Sequence, residues 1–410
     1  MNQTDARIPG PPSDFRFVGA GPAGQGLDRY DRLRQDHSVV RVDEPQGSYW
    51  VVLKRELIRA CLQDPATFSS RSVTILNPDP PVAMIPIQLD PPEHRPWRHL
   101  LAGYFSPKRM AALRPRLERG CRELIESIEG RDRCDFVKEF ATRFPTVVFL
   151  ELVGLPPSEL DTFLTWEHEI LRPDPDGAFD PGRYLSGVAA VRGYFTEVLA
   201  ARRASGTSGD DLIGQALTWE LDGEPVPDEA LLSCLFLLFL AGLDTVTNTL
   251  AFALYHLATH DEDRRQAAQV ARAGLPMGDI VEELLRYYAI PELSRKVTRD
   301  VDIDGHRFKA GDMVLFPLVS ANRDAEGLEE ADRVRFDRDQ PPVHFAFGAG
   351  PHRCLGSHLA REELTVALGE WHRRLPDYRL DPDVAVIETW GSVHGLDSLP
   401  LLFSTGKEHG

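Results

Sequence analysis

The chain has 410 residues, an apolar fraction of 42% and a net charge of −17, with 63 acidic against 46 basic side chains. So acidic a chain argues against general nucleic-acid binding. Its five scattered cysteines (Cys61, Cys121, Cys134, Cys234, Cys354) argue against a disulfide framework and fit a reducing cytoplasm.

No internal repeat and no Gly/Ser-rich linker divides the sequence, so a single unit from residue 27 to 410 is expected behind a Pro- and Gly-rich, irregular lead-in over residues 1–26. Met1 to Arg7 holds no basic stretch followed by an apolar run, so neither signal nor anchor is expected. Leu27 to Gln35 reads as a short helix. Ser38–Val42 and Tyr49–Leu53 are β-branched and aromatic, and Pro45-Gln46-Gly47 between them predicts a hairpin. A helix from Arg55 to Leu62 follows. Ser72 to Ile87 is apolar but broken by prolines, so it can be neither a long helix nor a central strand, and an apolar loop lining a cavity is expected. Asp90 to Arg98 then reads as a helix rich in basic residues.

Pro227-Asp228-Glu229 is a helix start, and Leu231 to Leu257 continues as a mostly apolar helix buried nearly all round. Its longest apolar run, Leu231 to Leu243, is too short to span a bilayer, so a core helix rather than a membrane segment is predicted. Ala241-Gly242-Leu243-Asp244-Thr245-Val246 interrupts that pattern. A glycine, an acid and a β-branched alcohol are costly inside a buried helix, and such a local conflict marks function. The structural alternative has Thr245 bonding back to a carbonyl and Asp244 pairing with an arginine. Further on, Glu283 and Arg286 stand three apart on one helical face.

The stretch His344-Phe345-Ala346-Phe347-Gly348-Ala349-Gly350-Pro351-His352-Arg353-Cys354-Leu355-Gly356 leads into an amphipathic helix through Leu359, Leu364 and Leu368. Cys354 therefore falls at or just before a helix N-terminus, where unpaired N–H groups favour a thiolate. Gly348 and Gly350 let the backbone turn tightly and pass beneath a flat ligand, with Phe347 beside it. A thiolate in such a cradle is what an iron porphyrin needs as its axial ligand. Together with the Ala-Gly-x-Asp-Thr and Glu-x-x-Arg motifs, in that order, this stretch resembles the haem loop of a soluble bacterial cytochrome P450 of the camphor-hydroxylase-like class. The resemblance extends from about Leu27 to Phe403.

The resemblance implies a mainly α cytochrome P450 fold with a smaller β region, haem b as cofactor, and Cys354 as the iron ligand. It implies Phe347, Gly348 and Gly356 around the haem, with His94, Arg98, Arg295 and His352 on its propionates. Gly242 would open the helix for dioxygen. Thr245 would donate a hydrogen bond at the dioxygen site, and Asp244 with Asn248 would relay protons. Glu283 and Arg286 form the structural pair. Their loop-borne partner is open, since Gln340 stands where the family often has Arg or His and Arg335 or Arg338 could substitute. Val82, Ile87, Leu237, Leu240, Gly242, Pro291 and Val393 fall on substrate positions.

The activity implied is monooxygenation of a hydrophobic small molecule, a terpenoid or another natural-product intermediate, by a cytoplasmic monomer. Ferredoxin and ferredoxin reductase would supply the electrons, since the chain carries no fused electron-transfer domain. Arg95, Arg353 and Arg361 are expected around the docking face. Two rival readings are a peroxide-using haem enzyme and a non-catalytic haem-thiolate sensor; neither needs the Asp244–Thr245 pair.

Overall fold

The computed structural model describes residues 15–45, 47–75, 82–171, 180–206 and 209–403. Strand β1 (Gly19–Pro22) lies inside the expected lead-in, because it finds a partner near the C-terminus, and helix α1 (Gln25–Asp36) begins two residues before the predicted helix start at Leu27. Residues 1–14 lie outside the described residues. The hairpin forms as β2 (Val39–Glu44) and β3 (Gly47–Val52), with Val39 opposite Val52 and Glu44 opposite Gly47. Gln46 in its turn is outside the described residues. Helix α2 (Arg55–Leu62) follows, then β4 (Phe68–Ser69).

Helix α3 (His94–Ala102) carries the basic residues, and α4 (Arg143–Val153) is almost wholly buried. Helix α5 (Asp228–Thr259) is the axle of the fold. Extended Pro227 sets its start, and Asp228 and Glu229 in its first turn complement the helix dipole. It is long and apolar enough to cross a membrane, yet its apolar sides pack against α4 and the neighbouring helices.

Helix α6 (Gly278–Tyr287) leads into β5 (Glu292–Val297), which pairs antiparallel with β6 (Met313–Pro317). These join the hairpin in a five-stranded sheet ordered β2-β3-β6-β5-β4, where only β3 and β6 run parallel. Helix α7 (Ser357–Arg374) packs near the centre. Strands β7 (Ile387–Trp390) and β8 (Gly395–Leu396) close a second sheet with β1. One continuous apolar core joins the helices to both sheets.

Candidate functional site

Cys354 stands three residues ahead of Ser357 at the start of α7 and lines one cavity with residues of α5 and α6. Its N–H donates to the Phe347 carbonyl at 2.8 Å, and the Gly348 N–H donates to the Phe345 carbonyl at 2.7 Å, so the loop is pinned by its own backbone. Asn322 Oδ1 takes the Phe345 N–H at 2.6 Å. Gly348 and Gly350 both sit at φ +68°, the left-handed region. Gly350 has a further constraint that the sequence reading missed. A Cβ there would lie 2.1 Å from the Leu62 carbonyl oxygen at the end of α2. Gly350 serves that packing contact, whereas Gly348, Gly356 and Phe347 line the cavity.

Behind the loop, Arg286 and Glu283 are joined by two bonds of 2.7 and 2.8 Å, with both side chains about 1% exposed. Arg286 also donates to the carbonyls of Asn322, Ala331 and Arg333. Arg338 is the third partner, reaching both Glu283 oxygens at 3.2 Å. Arg335 gives Glu283 only its backbone N–H, and its side chain turns out to Asp337 and Glu330.

Four of the five cysteines are buried in the core; Cys354 alone is open, and it opens onto the cavity. Burial pushes its thiol up, while the Gly356 N–H and the guanidiniums of Arg98, Arg353 and Arg361 pull it back. Desolvation outweighs the helix terminus, so the thiolate needs a cation at the sulfur beyond what the loop provides. Among the described residues no group of three or more His, Cys, Asp or Glu side chains is placed to hold a metal. A metal on Cys354 must therefore take its other ligands from a bound group.

The cavity, about 310 Å³, is lined by His94, Arg98, His352, Thr245 and Cys354 among mostly apolar residues. Arg295 is buried close by, and its one side-chain bond goes to the Ser294 carbonyl. Desolvation lowers it to about 10. Burial, Arg295, His94 and Arg98 lower His352 to about 3, and burial with Arg98 lowers His94 to about 4. The two imidazoles lie 4.0 Å apart, and His352 Nε2 is buried without a partner. Four donor groups crowd together with no ion pair to any described acid, which leaves a strong site for carboxylates. Two propionates on a planar iron porphyrin fit it: carboxylates at the cationic end, metal at the lone thiol.

Helix α5 runs through Gly242 as continuous α-helix. Thr245 Oγ1 donates back to the Ala241 carbonyl at 2.9 Å, as the structural alternative foresaw. Asp244 Oδ1 accepts from Asn248 Nδ2 at 2.8 Å. Ile87, Leu237, Gly242 and Pro291 stand in the cavity wall. Val82 and Leu240 are half-buried outside it, and Val393 sits behind it, bridged to Pro291. Within the Pro-rich loop, residues 76–81 lie outside the described residues, and its far end, Pro86–Ile87, reaches the cavity.

Sequence reasoning missed Phe149 and Leu152 on α4, whose near-continuous apolar run was the available signal. It also missed Glu363 on α7. This buried acid lines the cavity, its Oε2 has no partner, and burial pushes its carboxyl well up into the neutral form.

Residues 183–375 match the family described as Cytochrome P450. The chain is 31% identical over 412 residues to the cytochrome P450 monooxygenase PikC of Streptomyces venezuelae, covering 98% of this chain and 96% of that one. The solved structure of CYP101J2 superposes with a TM-score of 0.85 at 29% identity, covering 98% of this chain and all of that one. HmtN, a post-tailoring hydroxylase involved in himastatin biosynthesis, superposes with a TM-score of 0.78 at 29% identity, covering 90% of this chain and 94% of that one.

Proposed function

Because the chain belongs to the cytochrome P450 family, a family of haem-dependent monooxygenases, we propose that it inserts one oxygen atom from O2 into a hydrophobic natural-product intermediate, by hydroxylation or epoxidation, with electrons from a ferredoxin. The observation that carries this reading is one cavity that joins a lone thiol, an unpaired cationic corner, an alcohol on the long helix and an apolar wall.

Arg295, Arg98, His94 and His352 would hold the haem propionates, and Cys354 would ligate the iron. Haem bound there supplies the reductive activation of dioxygen. The remaining tasks fall to side chains of the chain. Thr245 has one hydroxyl proton and gives it to the Ala241 carbonyl. It can donate into the cavity only by releasing that bond. Asp244, 7% exposed and tied to Asn248, would relay protons toward this alcohol. Ile87, Phe149, Leu152, Leu237 and Pro291 exclude water and favour an apolar substrate. HmtN's part in a biosynthesis supports a natural-product intermediate as that substrate.

Two measurements test the reading. The reduced carbonyl complex should show the red-shifted Soret band of a thiolate ligand, lost in Cys354→Ala and kept in Cys61→Ala. Ligand screening by Soret shift, followed by turnover with ferredoxin, its reductase and O2, should give an oxygenated product. Product with peroxide but none with the ferredoxin system would overturn the electron-donor assignment.

A further inference from the structure

Beside the cavity wall lies a second cluster of charges that the reaction does not use. His394 is 0% exposed and stands between two carboxylates, with Nδ1 2.8 Å from Glu388 Oε1 and Nε2 2.5 Å from Glu292 Oε1. A ring with an acceptor at each nitrogen satisfies both only as imidazolium, the form with two N–H donors. Arg29 reaches the same Glu292 oxygen at 3.0 Å, and the Gly26 N–H donates to Glu388 Oε2 at 2.9 Å. Gly26 has no room for a side chain, since a Cβ would meet Glu388 Oε1 at 2.5 Å. Two acids and two cations thus close an electrically neutral set between α1, β5 and β7.

The backbone around this set is the cavity wall. The His394 N–H donates to the Ile290 carbonyl at 3.0 Å, the Glu292 N–H donates to the Ser392 carbonyl at 2.9 Å, and Val393 bridges Pro291. Ile290, Pro291 and Leu293 face the cavity. Next in sequence, Gly395 lies so close to Asn248 that a Cβ would meet Asn248 Oδ1 at 2.6 Å. One turn therefore touches both the substrate-side wall and the residue that holds Asp244.

We infer that Glu388, His394, Glu292 and Arg29 form a clamp that fixes the substrate-side wall of the cavity, with His394 as its positioning residue. The inference rests on the haem-site reading above. Its pH sense follows from the groups that face the ring. Glu292 and Glu388 raise His394 against the lowering effect of its burial. Arg29 is raised by Tyr30 and Glu292 despite burial, and so keeps its charge. The phenols of Tyr30, Tyr49 and Tyr255 nearby are pushed up by burial and stay neutral. The clamp is intact at neutral pH and below. As pH rises through the raised value of His394, the ring loses a proton, a net negative charge is left buried, and the wall loosens.

The test compares imidazole with 4-phenylimidazole as iron ligands of the haem-loaded protein. Both bind through the same neutral ring, so the ratio of their affinities, each corrected for the free ligand's own protonation, cancels the iron chemistry and reports the wall. In the wild type the preference for 4-phenylimidazole should fall from neutral to alkaline pH. In His394→Gln it should be about tenfold weaker at neutral pH and flat with pH. The wild-type profile needs no variant and decides the matter if His394→Gln does not fold. A ratio independent of pH in the wild type, or a variant with the wild-type ratio and profile, overturns the clamp. Loss of imidazole binding altogether, or of the thiolate Soret band, overturns the haem-site reading instead.

Discussion

The network behind the cysteine loop and the corner beside it are both built from arginines, yet they treat charge in opposite ways. Behind the loop, Arg286 has its acid and three carbonyls, Arg338 shares that acid, and Asn322 closes the backbone. At the corner, Arg295 is also buried and has one carbonyl, with Arg98, His94 and His352 crowding in. A saturated buried arginine fixes geometry. An unsaturated one costs folding energy and is tolerated where a bound anion completes it. The first region is finished by the chain; the second, on the proposed reading, would be finished by the cofactor's carboxylates.

The largest effect should come from breaking the finished region. Arg286→Ala leaves Glu283 buried, with Arg338 as its only remaining side-chain cation, and three carbonyls unpaired. Removing one partner of such a pair costs about 3–5 kcal/mol, so apoprotein and haem-loaded protein alike should lose that much in denaturant unfolding. Glu283→Gln should destabilise in the same direction. A loss seen only in the haem-loaded form would place Arg286 with the corner instead.

The unfinished region should give a change of sign. Arg295→Leu removes a buried charge that lacks an acid, so the apoprotein should be as stable as the wild type or more so, by about 1 kcal/mol. The haem-loaded variant should release haem to apomyoglobin at least tenfold faster. Equal destabilisation of both forms would show that Arg295 is structural and would erase the contrast with Arg286.

That contrast also explains what was legible in the sequence. Cys354 and its glycines could be read because few loops combine those residue types at that spacing. The Glu283–Arg286 pair was visible as a helical i,i+3 spacing, but its partner was not. Arg335 and Arg338 lie in a loop without periodicity, and only the fold decides which one turns inward. The helix α5 was plain from its apolar run, yet whether Thr245 bonds back to a carbonyl stayed open, because only the folded surroundings choose the direction of its hydroxyl. The His394 clamp was invisible, since its members stand as much as 365 positions apart, from Arg29 to His394, and only sheet pairing brings them together.

Between the two regions, Thr245 belongs to neither, because its hydroxyl is satisfied and yet faces the cavity. Thr245→Ala removes an i,i+4 side-chain bond that contributes little to a long buried helix, so stability should change by less than about 1 kcal/mol. Substrate binding and reduction should persist while more of the electrons leave as hydrogen peroxide. Full coupling in this variant would assign the alcohol to structure alone.

The smallest effect should come from the outer face of the loop, where a pair of arginines repeats the same contrast at the surface. Arg361 is held by Glu282 and covers the Phe347 ring at 4.5 Å, and with His344 it draws the Glu282 carboxyl down to about 2 despite burial. Arg353 is exposed and has only a long contact to Ser357. An acidic ferredoxin approaching a chain of −17 is repelled at long range, so local positive charge must provide the attraction. Arg353 can provide it, as can exposed Arg95 if α3 shares that face, whereas the charge of Arg361 is already cancelled. Arg353→Glu should therefore slow ferredoxin-driven reduction several-fold at low salt and flatten its salt dependence, since such fields fade within about 10 Å at 0.1 M salt. Dithionite reduction and thermal stability should not change. Arg361→Glu should do the reverse, lowering stability because Glu282 then faces a like charge, with a smaller effect on the encounter rate beyond that. Equal ferredoxin kinetics for wild type and Arg353→Glu at low salt would move the docking face away from the cysteine loop.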